Sequence, residues 1–291
     1  YAMALPILRD GLSSRLAGFS IQSNLWLLTP ELCELFREYR VSIGTSLDGP
    51  EDINDAQRGD GYFRRTMQGV KLARQYGLDA GFICTFTAQS TQRADKVFDF
   101  FFTQNLSFSI HAALPVLPTG KGLSESKSPP WVLAPPAYGE LLVHMLTRYQ
   151  ASASKIRIST LDAMCRGISA GQGGICTFGD CLGEYLAVAP NGDLYTCQRF
   201  IGLDEFRLGN VHDNPSQAEL SATPVWRVLQ DRQERITEEC GECAHLEYCR
   251  GGCPYNALVA GGGKFNRSFR DPHCPAYQRA FSAITDMALV E

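Results

Sequence analysis

The sequence lacks the features that mark a membrane protein, an exported protein or a nucleic-acid-binding protein. No apolar run reaches the roughly 18 residues that a membrane-spanning helix needs. The first residues, Tyr-Ala-Met-Ala-Leu-Pro, have neither the basic start nor the small-residue cleavage site of a signal peptide. The formal net charge is only −4, from 27 basic and 31 acidic side chains, so no charge excess favours phosphates or an anionic membrane. We therefore expect a cytoplasmic protein with no nucleic-acid or membrane partner.

The composition is that of a globular chain, with 44% apolar and 20% charged residues. Strand and helix patterns alternate through its first half. Strands are predicted at 19–24, 41–47, 80–86 and 108–113, and helices from residue 30 and at 63–76, 94–104 and 138–149. This order predicts an α/β layer or barrel with parallel strands and right-handed crossovers. Because only four strands are visible and no initiator Met is present, we expect that further strands precede residue 1.

The pattern changes after about residue 170, where helical periodicity fades and glycine becomes frequent. Asn191-Gly192 separates two apolar runs and predicts a β-hairpin. We place the boundary between two domains at about residue 165. This gives a first domain of residues 1–165 and a loop-rich second domain of residues 166–291.

Cysteine is abundant, with 11 residues in the chain. Cys33, Cys84 and Cys165 are scattered, and we predict that they are small buried side chains. The other eight are Cys176, Cys181, Cys197, Cys240, Cys243, Cys249, Cys253 and Cys274. In a reducing compartment such a group binds metal more often than it forms disulfides. Spacing alone leaves iron–sulfur clusters and two zinc sites open, with disulfides as a weaker alternative.

The order of these eight cysteines resembles the SPASM domain of radical S-adenosylmethionine (SAM) enzymes. This group includes anaerobic sulfatase-maturating enzymes and peptide maturases. The resemblance implies two auxiliary 4Fe–4S clusters. It assigns the first cluster to Cys176, Cys181, Cys197 and Cys253. It assigns the second cluster to Cys240, Cys243, Cys249 and Cys274.

The first half of the chain is similar to the same family. Residues 21–29 resemble its third barrel strand and the following turn, residues 44–49 its fourth strand end, and residues 55–58 the Asp-x-x-Arg that follows. The implied fold is a partial (β/α) radical SAM barrel followed by a loop-rich SPASM domain with a β-hairpin. Barrel active sites lie at the carboxyl ends of strands, so Asn24, Ser46 and Asp48 would face SAM or substrate. Alternatively, these three form turns, and Asp55 and Arg58 form a surface pair.

The sequence departs from the family at two points. It contains no C-x3-C-x2-C motif, which holds the catalytic cluster in this family. We therefore expect an N-terminally truncated chain that is inactive alone, with SAM and a third, catalytic 4Fe–4S cluster bound only by the complete protein. A natural pseudo-enzyme is the alternative. The second departure is Gln198, which follows Cys197 where sulfatase-maturating enzymes have an Asp, and an amide cannot act as a general base.

The resemblance implies a function for the complete protein. A 5′-deoxyadenosyl radical would abstract hydrogen from a peptide or protein substrate, leading to formylglycine or to a crosslink. A flavodoxin or ferredoxin would donate electrons. The sequence assigns no catalytic residue. A zinc-stabilised interaction module without catalysis and a ferredoxin-type electron carrier are the competing hypotheses.

Overall fold

Four strands of the first half form one parallel sheet. The computed structural model describes residues 1–12, 15, 18–115, 130–152, 155–179, 182–265 and 268–288. In sheet order the strands are β1 (Ser20–Gln22), β2 (Ser42–Ser46), β3 (Ala80–Phe86) and β4 (Phe108–Ala112). Each strand pairs in parallel with the next along the chain. The predicted strands and their parallel order are confirmed.

The chain near residue 158 adds a parallel position beside β4 that the sequence pattern did not predict. Ile158 forms a parallel bridge with Phe108, whose amide donates to the Arg157 carbonyl at 2.9 Å. The Thr160 hydroxyl then accepts from the Ile110 amide at 2.9 Å. Ile156, Arg157 and Ile158 alternate between buried and exposed as in a strand, but the segment is too short to stand out in the sequence.

Helices connect and follow these strands. They are α1 (Ala4–Leu12), α2 (Pro30–Glu38), α3 (Glu51–Arg58), α4 (Tyr62–Gln75), α5 (Ala94–Thr103), α6 (Pro135–Gln150) and α7 (Ser159–Ala170). Helix α2 begins as predicted, with Thr29 as the N-cap and Pro30 in the first turn. Phe101 of α5 stacks on Phe108 of β4, with ring centroids 4.2 Å apart, so aromatic burial holds this helix on the sheet.

The second half contains more helix than the prediction of a loop-rich domain allows. Its helices are α8 (Gln217–Ser221), α9 (Pro224–Cys240), α10 (Leu246–Cys249), α11 (Pro254–Ala260) and α12 (Cys274–Ala288). The longest, α9, has 17 residues but buries only Leu229, Arg232 and Ile236. So narrow a buried stripe, with an arginine in it, gives little hydrophobic periodicity to detect.

The predicted hairpin is confirmed. Strand β5 (Ala187–Val188) pairs antiparallel with β6 (Asp193–Tyr195) around a turn in which Gly192 has a φ of 87°. A third strand, β7 (Gly209–Asn210), pairs with β6 and was not predicted. Phe200 beside this sheet stacks on Phe206 at 4.6 Å and contacts Tyr255 edge-on. This half therefore has an apolar core of its own.

The chain forms two compact units. One comprises Tyr1–Ala112 and Thr147–Thr160, and the other comprises Ala113–Leu146 and Leu161–Glu291. The predicted domain boundary at residue 165 stays a prediction. None of the described helices is both long enough and apolar enough to cross a membrane.

Candidate metal centre

Helix ends position most of the clustered thiols. Cys240 is the last residue of α9, Cys249 the last of α10, and Cys274 the first of α12. Cys253 caps the start of α11. The Cys243 amide donates to the Cys240 carbonyl at 3.1 Å, which closes the C-x2-C turn. The backbone therefore fixes where each of these side chains starts.

The turn between Cys249 and Cys253 requires glycine at two positions. Gly251 and Gly252 both have a φ of 72°, where L side chains are strained. A Cβ atom on Gly252 would lie 2.4 Å from the Asp271 Cβ, and one on Gly251 would lie 2.2 Å from an Ile236 side-chain carbon. The chain therefore bends tightly at both glycines.

A buried arginine holds the carbonyl groups of the same turn. Arg232 is 3% exposed. Its Nη2 donates to the carbonyls of Gly251 and Gly252 at 3.0 and 2.8 Å, and its Nε donates to the Phe269 carbonyl at 2.9 Å. Because these carbonyls turn toward the guanidinium, the peptide planes of the turn are fixed.

Asp271 links the segments that carry Cys253 and Cys274. Its side chain is fully buried, and its Oδ2 accepts from the Cys253 amide at 3.1 Å and from the Tyr277 hydroxyl at 3.2 Å. Its Oδ1 accepts from the His273 amide at 2.9 Å. The Cys274 amide donates to the Asp271 backbone carbonyl at 2.9 Å. One buried carboxylate therefore holds two thiol-bearing segments together.

Three thiols at these helix ends and Cys243 in the C-x2-C turn influence one another electrostatically. Burial, with the nearby Cys274, Cys240 and Cys243, raises the pKa of Cys249 to about 12, although a hydrogen bond from the Gly251 backbone lowers it. Burial also raises the pKa of Cys240, and Cys274 and Cys243 again add to the increase. These four are the residues that the resemblance assigns to the second cluster. Such thiols lose their protons together only when a cation offsets the thiolate charges.

Arg199 lies beside three other thiols. Its Nη1 donates to the Cys253 sulfur at 3.8 Å, and its backbone amide donates to the Cys197 sulfur at 3.5 Å. Burial raises the pKa of Cys176, Cys197 raises it further, and Arg199 lowers it. These are three of the four residues that the resemblance assigns to the first cluster. The fourth, Cys181, lies outside the described residues.

The remaining metal-binding side-chain types serve other contacts. His245 hydrogen-bonds Tyr248 at 2.8 Å and Ser282 at 3.3 Å rather than a thiol. Cys33 and Cys84 are fully buried as predicted, whereas Cys165 is only half-buried. Among the residues that the structure describes, no three His, Cys, Asp or Glu side chains converge as a ready ligand set for one metal ion.

Asp48 follows the end of strand β2 in the parallel sheet, and its carboxylate accepts hydrogen bonds from other groups of the protein. The side chain is 1% exposed, and Oδ1 accepts from the Thr85 amide at 2.8 Å and from Arg58 Nη2 at 2.9 Å. Its Oδ2 accepts from Gln57 Nε2 at 2.8 Å and lies 2.6 Å from Arg58 Nε. Asp48 therefore ties the ends of β2 and β3 to helix α3.

The other residues predicted at this edge of the sheet do not share the hydrogen bonds of the Asp48 carboxylate. Asn24 is exposed, and its Oδ1 accepts from the Trp26 amide at 3.2 Å, as a turn-forming residue does. Ser46 is half-buried at the end of β2. Asp55 accepts from the Gly61 and Phe63 amides, both at 2.8 Å. The surface pair of Asp55 and Arg58 is therefore wrong, because Asp55 binds the start of α4 and Arg58 pairs with Asp48.

Sequence comparison finds relatives that cover most of this chain. No protein-family model matches it. The serine-type anaerobic sulfatase-maturating enzyme of Bacteroides thetaiotaomicron is 24% identical over 274 residues, which cover 88% of this chain and 65% of the relative. The cysteine-type enzyme of Clostridium perfringens is 24% identical over 243 residues, which cover 80% of this chain and 64% of the relative. The chain is a homologue of the anaerobic sulfatase-maturating enzymes.

The homology does not extend over the whole of these relatives. A protein of unassigned role from Methanothermobacter thermautotrophicus is 43% identical over 162 residues, which cover 56% of this chain and 60% of that protein. Aligned segments therefore account for between 60% and 65% of the length of these three relatives.

Solved structures agree with the fold. Native anSMEcpe with bound AdoMet and Kp18Cys peptide gives a TM-score of 0.82 at 21% identity, over 99% of this chain and 80% of that one. SuiB of Streptococcus suis bound to its precursor peptide SuiA gives 0.57 at 16% identity, over 88% and 58%. The predicted α/β fold is confirmed, with a parallel sheet and a small antiparallel one.

The residues that support the thiols were not predicted. Arg199 stands two positions after Cys197, so a basic residue beside a cysteine was a visible signal, but its contact with Cys253 spans 54 residues of sequence. Arg232 and Asp271 show no motif at all. Their roles depend on contacts that only the folded chain creates.

Proposed function

We propose that this chain is the auxiliary-cluster portion, with part of the barrel, of a radical SAM enzyme that modifies a peptide or protein. The observation that carries the proposal is the grouping of the thiols. Cys240, Cys243, Cys249 and Cys274 influence one another, and Arg199 lies beside three further cysteines. Each group contains only members of one of the two interleaved ligand sets that the resemblance implies. The homology to sulfatase-maturating enzymes supports the proposed enzyme class.

The donor set fits two 4Fe–4S clusters. Cys176, Cys181, Cys197 and Cys253 would hold one, and Cys240, Cys243, Cys249 and Cys274 the other. All eight donors are thiols, the ligand type that iron–sulfur clusters take, and backbone amides and the Arg199 side chain lie beside some of the sulfurs. When bound, the clusters would supply one-electron transfer. The protein's part is to hold the thiols through the Gly251-Gly252 turn, Arg232 and Asp271.

The carboxyl edge of the parallel sheet is the proposed site for SAM or substrate. Ser46 and Asn24 would contact the ligand with their side chains. Asp48 would face the ligand with its backbone, and it would orient neighbouring side chains toward it. Three partners already take up the Asp48 carboxylate, so we assign it mainly to positioning Arg58 and Gln57. In the complete protein, SAM and the catalytic cluster would supply the radical that abstracts hydrogen from the substrate.

The substrate would be a peptide or protein, and the surroundings of Cys197 bear on the reaction. Gln198 is exposed, and the next side chain, Arg199, is a cation directed at Cys253. Neither group takes up a proton near neutral pH. Crosslink formation therefore fits at least as well as formylglycine formation. We further propose a cytoplasmic location and a flavodoxin or ferredoxin as the electron donor.

Anaerobic reconstitution with iron and sulfide tests the proposal against a zinc-stabilised interaction module. Two 4Fe–4S clusters require about eight iron and eight sulfide per chain, with a brown colour and a broad visible absorption band. Tightly held zinc would leave the protein colourless, because Zn²⁺ has a filled d shell. A colourless protein that binds zinc and retains no iron would overturn the proposal.

A further inference from the structure

Arg199 is held in one orientation beside the thiols of Cys197 and Cys253. Its Nη1 donates to the Asn256 Oδ1 at 2.7 Å, and its guanidinium lies 4.0 Å from the centroid of the Tyr255 ring. Asn256 is in turn fixed by Asp271, to which its Nδ2 donates at 2.7 Å. An amide acceptor and an aromatic face together lock a planar guanidinium well.

Other arginines of the same unit have carboxylate partners. Arg207 pairs with Asp193 at 2.5 Å, Arg270 with Glu239 at 3.1 Å and Arg279 with Glu140 at 3.0 Å. Within the described ranges, Arg199 pairs with no carboxylate, and its charged side chain reaches a sulfur instead. Its positive charge is therefore available to the thiols.

We propose that Arg199 is a positioning residue that raises the reduction potential of the metal centre that Cys176, Cys197 and Cys253 would help to hold. The inference rests on the proposed function, because it requires a cluster at these thiols. Reduction adds one electron, so the reduced centre carries one more negative charge than the oxidised one. A cation and N–H···S hydrogen bonds beside the sulfurs stabilise the reduced form more than the oxidised form.

The test is a potentiometric titration of the reconstituted chain with dithionite, followed by electron paramagnetic resonance. The Cys274→Ala background removes the second centre, so that only the first is titrated. In this background Arg199→Gln should move the midpoint to a more negative potential. Arg199→Lys keeps the charge but loses the planar fork, and should move it less. Arg207→Gln removes a cation from the same unit without touching a described thiol, and should leave the midpoint unchanged.

Each outcome bears on a different claim. An unchanged midpoint in Arg199→Gln, or equal shifts in Arg199→Gln and Arg207→Gln, would overturn the inference. Iron loss from both Arg199 variants would overturn it too, because Arg199 would then be needed for assembly. If the unsubstituted chain takes up no iron, the proposed function itself fails. If Cys274→Ala disturbs the first centre, the otherwise unchanged chain is titrated, and only one of its two steps should move.

Discussion

Asp48 is the residue that connects β2, β3 and α3 at the edge of the parallel sheet. Its carboxylate is buried and has Arg58, Gln57 and the Thr85 amide as partners. Asp52, four residues further on, is also paired, with Arg93 and Lys96, but its side chain is half exposed. The two aspartates therefore allow a buried ion pair to be compared with an exposed one in the same part of the chain.

We predict that Asp48→Asn lowers the free energy of unfolding by about 3 kcal/mol, because it leaves the largely buried Arg58 guanidinium without its counter-charge. Asp52→Asn is the matched control and should cost clearly less stability than Asp48→Asn, because water screens an exposed pair. Urea unfolding followed by circular dichroism measures both. Equal losses for the two variants would show that the Asp48 contacts contribute no more than surface ones.

Asp52 also gives a pH dependence with a definite sign. Hydrogen bonds from Lys96 and Arg93 lower its pKa from 3.8 to about 2. Because the folded pKa lies below the unfolded one, the contribution is complete above about pH 4 and is lost as the pH falls through about 2. In Asp52→Asn this part of the acid destabilisation should be absent. A stability difference between the two proteins that stays constant from pH 5 to about pH 2 would contradict the assignment.

At the scale of elements, the turn that joins α10 to α11 requires a left-handed backbone conformation at Gly252. Gly252 and Gly262 both have a positive φ, at 72° and 66°. A Cβ atom on Gly252 would meet Asp271, whereas one on Gly262 would meet nothing within 4 Å. The pair therefore separates left-handed strain, which both positions have, from steric conflict, which only Gly252 has.

We predict that Gly262→Ala costs about 1 kcal/mol, as the left-handed conformation alone does. Gly252→Ala should cost clearly more, and should also reduce the iron that the reconstituted chain retains, because Asp271 must move away from the Cys253 amide. Thermal unfolding and iron analysis of the two variants measure this. If both variants keep the iron of the unsubstituted protein, the turn does not position the thiols.

The elements also show how far sequence reasoning reached and where it stopped. Helix α2 was predictable because Thr29 and Pro30 are strong local start signals. Helix α9 begins with the same kind of signal, Thr223 before Pro224, yet its weak apolar periodicity concealed it. The spacing of the eight cysteines indicated a candidate metal site, which stays a prediction. Nothing in the sequence indicated the roles of Arg199 and Arg232, because their contacts join segments that are distant in sequence.

At the scale of the whole molecule, the sequence determines what the isolated chain should be unable to do. None of its 11 cysteines forms a C-x3-C-x2-C motif, so we expect no iron that is bound by three thiolates and has one open position. We predict that the purified 291-residue chain, reconstituted and reduced, does not cleave SAM. Liquid chromatography of the reaction measures 5′-deoxyadenosine. An amount above that of a control without protein would contradict the prediction.

The assignment of eight thiols to two interleaved centres is the central claim. Cys253 and Cys274 lie near each other in sequence but are assigned to different centres, whereas Cys176 and Cys253 lie far apart and are assigned to the same one. Removing two ligands of one centre should cost no more iron than removing one of them, because such changes are not additive. Removing one ligand from each centre should cost the iron of both.

The most direct measurement is therefore the iron and sulfide content of two double variants that remain folded by circular dichroism. Cys176→Ala/Cys253→Ala should retain about four iron per chain, as each single variant should, and Cys176→Ala/Cys274→Ala should retain almost none. The opposite result, with almost no iron in Cys176→Ala/Cys253→Ala and about four in Cys176→Ala/Cys274→Ala, would contradict the assignment.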